Sequence, residues 1–266
     1  MICIFDCETI PDVELAKSEF GLEGEGLEVS NEAFRLQEEK SGYSFLPLPF
    51  HQVVAISAVI CDDFGKFSRV NTIGGDSEKE MIEGFLGFID KKQPKLVSFN
   101  GRAFDMPMLL LRAMKYNLTC PAYFEKENSE LNKSKWDNYR SRYSDRFHVD
   151  LMDHIGEFGA VRGLKLDTVC KMVGLPGKYD VHGDEVVTLY YANEIDKIKE
   201  YCESDVLNTY WLYLKYELLK GNLTKEEYLN NIDEVYNKLD SKKSYSEIFK
   251  KYIKREIDLY VCLPHS

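Results

Sequence analysis

Apolar and polar positions alternate from the first residues of the chain. Ile2 and Ile4 share one face of an extended strand with Asp6 and Glu8, while Cys3, Phe5 and Cys7 share the other, because side chains alternate along a strand. Both faces begin apolar, as a central strand's do, and Pro11 marks its end. Residues 12–50 read as a polar insertion with a helical stretch over 31–39, closed by Pro47 and Pro49. Residues 53–61 and 66–73 read as two further strands. Ser77 and Glu80 then stand in capping-box spacing ahead of Met81, Ile82, Phe85, Leu86 and Ile89, a helical period. Residues 95–99 return as a strand, followed by a helix marked by Met108, Leu109 and Arg112. Pro107 falls in its first turn, where a missing donor does no harm. A strand ends at Val149, a helix follows Gly163, and a long helix runs from 194 to about 220.

Past Gly221 the pattern changes to two helices, opened by Thr224 with Glu227 and by Ser244 with Glu247. Tyr228, Ile232 and Val235 form one apolar stripe, and Phe249, Ile253 and Ile257 another. Burial against the preceding core is one way to cover these stripes, and a partner surface is another. The expected division is a core unit over 1–219 and a helical extension over 220–266 packed on it.

Three places along this pattern carry acids suited to chemistry. Asp6 and Glu8 project together from a strand end and repel each other unless a cation lies between them; hard oxygen ligands suit magnesium or manganese. The same tripeptide also reads as a solvated strand end. Asp105 follows the strand over 95–99 in SFNGRAFDMPML, where it fits a ligand or a helix N-cap. Tyr201 and Asp205 in YCESDVLNTYW are four apart and so share one helical face, although a tyrosine there also suits a core–surface boundary. Asp150 ends another apolar stretch and reads as a helix cap or a further ligand, with Asp153 three residues on. Asp167 reads as a polar helix position.

In order and spacing these motifs resemble the proofreading type of 3′-to-5′ exonuclease, in the branch that carries a tyrosine. Glu200 occupies the position five before Asp205 where the sister branch has histidine. The resemblance continues through RFHVDLMDH and LKLDTVCKMVGLPGKYDVHGDEV, and is similar to the exonuclease domain of family B DNA polymerases and to stand-alone predicted exonucleases related to it. It implies a ribonuclease H-like α/β fold, a mixed sheet flanked by helices. It further implies two divalent ions, Mg²⁺ or Mn²⁺, held by Asp6, Glu8, Asp105 and Asp205, and a Tyr201 hydroxyl that orients the attacking water. One ion, on Asp6, Glu8 and Asp205, would activate that water; the other, on Asp6 and through water on Asp105, would stabilise the leaving oxygen. Asn100 would help shape the site and meet the substrate, and Phe104 would pack near the terminal nucleotides, a core position being its other reading. The implied partner is nucleic acid with a free 3′ end, single-stranded DNA favoured and RNA possible, without a covalently attached polymerase; a protein partner is unknown.

Composition changes this picture only slightly. The chain has 266 residues and a net charge of −11, which argues against a tight non-specific duplex binder but less against an enzyme that trims ends. One stretch turns basic and aromatic: Lys133, Lys135, Trp136, Tyr139, Arg140, Arg142, Tyr143 and Arg146. Cations interleaved with rings suit single strands, so Trp136, Arg140 and Arg142 are candidate substrate contacts; a solvated loop with aromatic anchors is the other reading. The seven cysteines form neither a Cys-x-x-Cys pair nor a disulfide framework. No signal region or membrane-spanning run is recognisable, and a cytoplasmic location is expected. Two other functions fit parts of the chain: a catalytically silent end-binding or partner-binding domain, and a haloacid dehalogenase-type phosphatase, which FDCETI superficially matches.

Overall fold

The computed structural model describes residues 1–178 and 183–261; part of the GKYDVHGDEV stretch and the last residues of the extension therefore lie outside the described residues. β1 (Ile2–Pro11) is the centre of a five-stranded sheet. On one side β2 (His51–Cys61) and β3 (Phe67–Thr72) continue as antiparallel neighbours. On the other, β4 (Lys95–Ser98) and β5 (His148–Asp150) run parallel to β1. The order β3-β2-β1-β4-β5, with helices on both faces, is the ribonuclease H-like α/β architecture.

The helices follow in the chain as α1 (Val13–Phe20), α2 (Gly26–Ser41), α3 (Glu78–Lys92), α4 (Asp105–Lys115), α5 (Pro121–Phe124), α6 (Leu151–Ile155), α7 (Leu166–Met172), α8 (Val186–Tyr191), α9 (Ile195–Leu219), α10 (Lys225–Lys238) and α11 (Ser246–Val261). The alternation in β1 divides the core. Ile2 and Ile4 pack with Val206, Leu207 and Tyr210 of α9, whereas Cys3, Phe5 and Cys7 pack with Ile82 and Phe85 of α3 and Leu109 of α4. Asp6 and Glu8 continue the first of these faces, so the strand's own period aims them at α9.

Helices α10 and α11 belong to that same core: Tyr228, Ile232, Phe249 and Ile253 are buried with Ile2, Ile4 and Val59. The Thr224–Glu227 capping box forms in full. Helix α11 begins at Ser246, two residues beyond Ser244. Ser244 donates its backbone N–H to Glu200 at 2.9 Å, and the Ser246 hydroxyl closes the preceding turn on the Asp240 carbonyl at 2.6 Å.

The insertion after β1 holds two helices where its sequence pattern predicts one. Asp12 caps α1 by accepting from the Leu15 N–H at 3.1 Å. The same carboxylate pairs with Arg112 of α4, which also bonds Glu78 at the start of α3. Burial pushes the Asp12 carboxyl up, but the hydrogen bonds from Arg112 and Lys115 outweigh it and leave its pKa at about 2. This buried pairing ties the end of β1 to α3 and α4, directly behind the acidic strand end.

Candidate active site

The site is assembled from three elements that converge at the far end of β1. Asp6 and Glu8 come from the strand itself, and the register shifts between Glu8 and Thr9; such a bulge increases local twist and re-aims side chains. Asp205 and Tyr201 come from one ridge of α9. A carboxylate oxygen from each of Asp6, Glu8 and Asp205 can be chosen so that all lie within 4.8 Å of one another. Asp105, at the first position of α4, stands beside that triplet, close enough for its charge to act on Asp6.

Asp105 is not the cap of α4. The residue before it, Phe104, occupies the N-cap position, and the Asp105 Oδ1 is buried without a hydrogen-bond partner among the described residues. The Asp205 Oδ1 is in the same condition. Buried carboxylate oxygens without donors are costly; one within the acid triplet and one on Asp105 beside it leave a donor set suited to hard divalent cations. The residues present therefore fit a metal centre.

Electrostatics agree with that fit. Burial, followed by repulsion from Asp105, Glu8 and Asp205, pushes the Asp6 carboxyl well above the usual carboxylate range. Burial and then Asp205 do the same to Glu8. Burial, with Asp150 adding repulsion, raises Asp105 to about 7. Burial also raises Asp205, against the pull of Lys178 and Tyr201.

Lys178 supplies the positive charge within this cluster, and sequence reasoning missed it. Its Nζ lies 3.4 Å from the Asp205 Oδ2 and donates to the Tyr201 hydroxyl oxygen. Burial alone would lower its ammonium pKa, but Asp205, Glu8 and Asp6 raise it. Burial and the neighbouring carboxylates push the Tyr201 phenol up, so it stays protonated. A lone lysine in LPGKYD carries no spacing signal; only the tertiary fold brings it to α9.

The loop from β4 to α4 holds Asp105 in place. Asn100 adopts a left-handed backbone with φ 70°, a conformation asparagine tolerates better than most residues. A Cβ at Gly101 would meet the Ser98 side chain at 2.5 Å, so the backbone passes where no other side chain fits. Asp150 fixes this loop: it accepts from the Asn100 and Arg102 N–H groups, each at 2.8 Å. It also caps α6 through the Met152 N–H at 3.0 Å. Asp150 thus positions the loop that carries Asp105. Asp153 pairs with Arg142, and Asp167 pairs with Lys171 and accepts from the Lys178 N–H.

A cavity of about 460 Å³ opens beside the acids, lined by Asp6, Asn100, Met152, Lys178, Asp205 and Thr209 among others. Asn100 therefore faces the same space as two of the acids. Phe104 is half-buried against His51 and Phe45, with ring centroids 4.9 and 5.3 Å away. Trp136, Arg140 and Arg142 do not line this cavity; they gather in a separate open groove of about 1260 Å³. Glu200 binds Ser244 and Lys243 near α11.

Residues 43–256 match the family described as predicted 3′-5′ exonuclease related to the exonuclease domain of PolB. The chain belongs to this family. Asp105, Tyr201 and Asp205 fall inside the matched span; Asp6 and Glu8 precede it and join the site through the geometry of β1. The chain is 26% identical over 152 residues to a DNA polymerase of Thermococcus aggregans, covering 56% of this chain and 8% of that one. It is 26% identical over 233 residues to the catalytic subunit of DNA polymerase epsilon from Aspergillus fumigatus, covering 81% and 9%. It therefore spans less than a tenth of the length of these relatives. The family B DNA polymerase of Pyrobaculum calidifontis superposes with a TM-score of 0.49 at 17% identity, covering 95% of this chain and 26% of that one. Family membership displaces the phosphatase reading. No helix among the described residues is long and apolar enough to cross a membrane.

Proposed function

We propose that the protein is a divalent-metal-dependent 3′-to-5′ exonuclease that releases nucleoside 5′-monophosphates from nucleic-acid ends, with single-stranded DNA as its preferred substrate. The observation that carries this reading is the convergence of Asp6, Glu8 and Asp205 oxygens within 4.8 Å in a chain of the exonuclease family. Asp6, Glu8 and Asp205 would hold one ion, and Asp6 with Asp105 a second. Bound there, divalent ions supply Lewis acidity, lowering the pKa of a water and offsetting charge on the phosphate oxygens.

The chain's own groups do the rest. The Tyr201 hydroxyl, kept protonated by burial and the neighbouring carboxylates and oriented by the hydrogen bond from Lys178, aims the attacking water at phosphorus. The water oxygen bonds to phosphorus, the bond from phosphorus to the 3′ oxygen breaks, and that oxygen takes a proton as it leaves. Lys178 offsets phosphate charge in the same space. Asn100 contacts the terminal nucleotide from the cavity wall, and Phe104 packs beside it. DNA polymerase relatives favour DNA over RNA as the polymer.

Product analysis tests this reading. Chromatography of a digest is expected to show nucleoside 5′-monophosphates only, and Tyr201→Phe is expected to slow their release about 100-fold with little change in substrate affinity. Products bearing 3′-phosphates contradict the assignment.

A further inference from the structure

Beyond the acid cavity, the basic and aromatic segment builds a groove of about 1260 Å³ that the proposed chemistry does not use. It is lined by Lys126, Lys135, Trp136, Arg140, Arg142 and Tyr143 among others. We propose that this groove is a second nucleic-acid site, a channel that holds the backbone and bases of a single strand upstream of the end occupying the acid cavity. The inference rests on the exonuclease reading for its substrate class, but not for its location.

Charge is the first reason. On a chain of net charge −11, this surface concentrates cations. Arg142 and Arg146 are paired with Asp153 and Asp137. Lys126, Lys135 and Arg140 are exposed and have no carboxylate within ion-pair reach among the described residues. Exposed unpaired cations are free to neutralise phosphates.

Aromatic exposure is the second. Trp136 is 76% and Tyr143 75% exposed; Tyr43 and Phe64 are as exposed elsewhere, but here the exposed rings stand among cations. Lys135 sits over the Trp136 ring at 4.9 Å, and Arg140 over Phe124 at 5.4 Å. Tyr143 packs on Phe158 at 4.8 Å, and exposed rings beside cations are the general means of stacking successive bases without sequence preference. A groove meant only for anions needs no exposed tryptophan.

Position is the third. Ile2 pairs with Lys95 at the start of β4, and Lys95 lines the groove. Asp6 stands four residues further along β1, about 13 Å away at the usual strand rise. The groove thus starts at the opposite end of the sheet from the acids, and most of its wall is the segment that leads into β5. Its other end meets α6, where Arg142 binds Asp153 and the neighbouring Met152 lines the acid cavity. Met152 and Asp153 are consecutive residues of α6, which thus stands between the two spaces.

The groove is also built, not merely exposed. Arg102 donates to the carbonyls of Tyr139, Ser141 and His148 at 3.0, 3.2 and 2.6 Å. Tyr139 is fully buried and its hydroxyl donates to the Pro94 carbonyl at 2.6 Å. Arg102 belongs to the loop held by Asp150, so the wall of the groove and the loop before Asp105 share one support.

The test is equilibrium binding of 5′-labelled single-stranded DNA in EDTA, read by fluorescence anisotropy. Oligonucleotides of about four and about 20 nucleotides bracket a groove-sized site. Wild type is compared with the Lys135→Glu, Arg140→Glu double variant and with Trp136→Ala. All three positions are exposed, and unchanged thermal midpoints verify folding. The double variant is expected to weaken binding of the long strand at least about tenfold and to reduce its log–log salt slope by about 1.4, the share of two phosphate contacts. Trp136→Ala is expected to weaken it about tenfold, and the short strand is expected to bind all three proteins alike. Unchanged affinity and slope for the long strand overturn the proposal, as do equal losses on both lengths. Charge reversal that weakens binding while Trp136→Ala has no effect makes the surface a general polyanion site and also overturns it. Cleavage is scored separately: groove-dependent binding without cleavage leaves this inference standing and defeats only the nuclease reading.

Discussion

At the level of single residues, the site is an arrangement of buried acids that repel one another and are eased by protons or by a cation. Asp6, Glu8, Asp105 and Asp205 are all pushed above the ordinary carboxylate range, with burial as the first cause, and Lys178 compensates only part of their charge. The sign of the pH dependence follows. The Asp105 pKa is raised in the fold to about 7, so its contribution to stability is fully present below the unfolded value. That contribution is lost as pH rises through about 7. Protons and metal compete for the same oxygens, and the Mn²⁺ concentration that half-saturates the site is therefore expected to fall from pH 6 to pH 8, as read by calorimetric titration. Asp105→Asn is expected to raise the Tm of the EDTA-treated protein at pH 8 by a few degrees and to shrink the stabilisation that added Mn²⁺ gives. A lower Tm for this variant in EDTA would show that Asp105 is a structural carboxylate.

Elements bring those residues together, and here the difference between what the chain's pattern reveals and what it conceals becomes physical. The strand alternation of Ile2, Ile4, Asp6 and Glu8 and the four-residue spacing of Tyr201 and Asp205 are local periods, so the face each acid occupies is legible before any tertiary contact is known. Asp105 is legible as a residue at a strand-to-helix junction, although only the fold distinguishes an uncapped first helical residue from an N-cap. Lys178, Arg102 and the double use of Asp150 are not legible, because each acts on residues distant in sequence: Lys178 on Tyr201, Arg102 on Tyr139, Asp150 on Asn100. The short helix α1 is hidden for a different reason. Its cap, Asp12, is recruited by Arg112 across a separation of 100 residues. That pairing gives a direct prediction. Arg112→Ala takes the buried cation from between Asp12 and Glu78, leaving them Lys115 and Tyr116, and is expected to cost about 3 kcal/mol, lowering Tm by roughly 10 °C in a thermal melt. A change of only a degree or two would mean that the acids find other partners and that this network does not brace the end of β1.

Across the molecule, the sheet places its two candidate ligand surfaces at opposite ends of the same strands, with α6 between them. On the proposed reading, an acidic protein would hold a polyanion through one concentrated basic face while its acid cluster carried out the chemistry. The helices α10 and α11 matter here too. The family match runs to residue 256, and Tyr228, Ile232, Phe249 and Ile253 lie in one core with Ile2 and Ile4. Cutting the chain after residue 219 exposes the apolar face behind the acidic strand. The truncated chain is expected to lose cooperative thermal unfolding and to bind a hydrophobic dye, as loosely packed states do. A sharp melt from that fragment would instead establish the helices as an appendage to an independently stable unit.

If the four acids form one hydrolytic centre acting on 3′ ends, a time course on 5′-labelled single-stranded DNA and RNA in Mg²⁺ or Mn²⁺ will show it, with Asp6→Ala and EDTA run beside the wild type. The expected result is a ladder that shortens from the 3′ end, stronger on DNA, and abolished by Asp6→Ala and by EDTA. An equal ladder from Asp6→Ala, or no ladder on either polymer from a folded, metal-supplied protein, would contradict it.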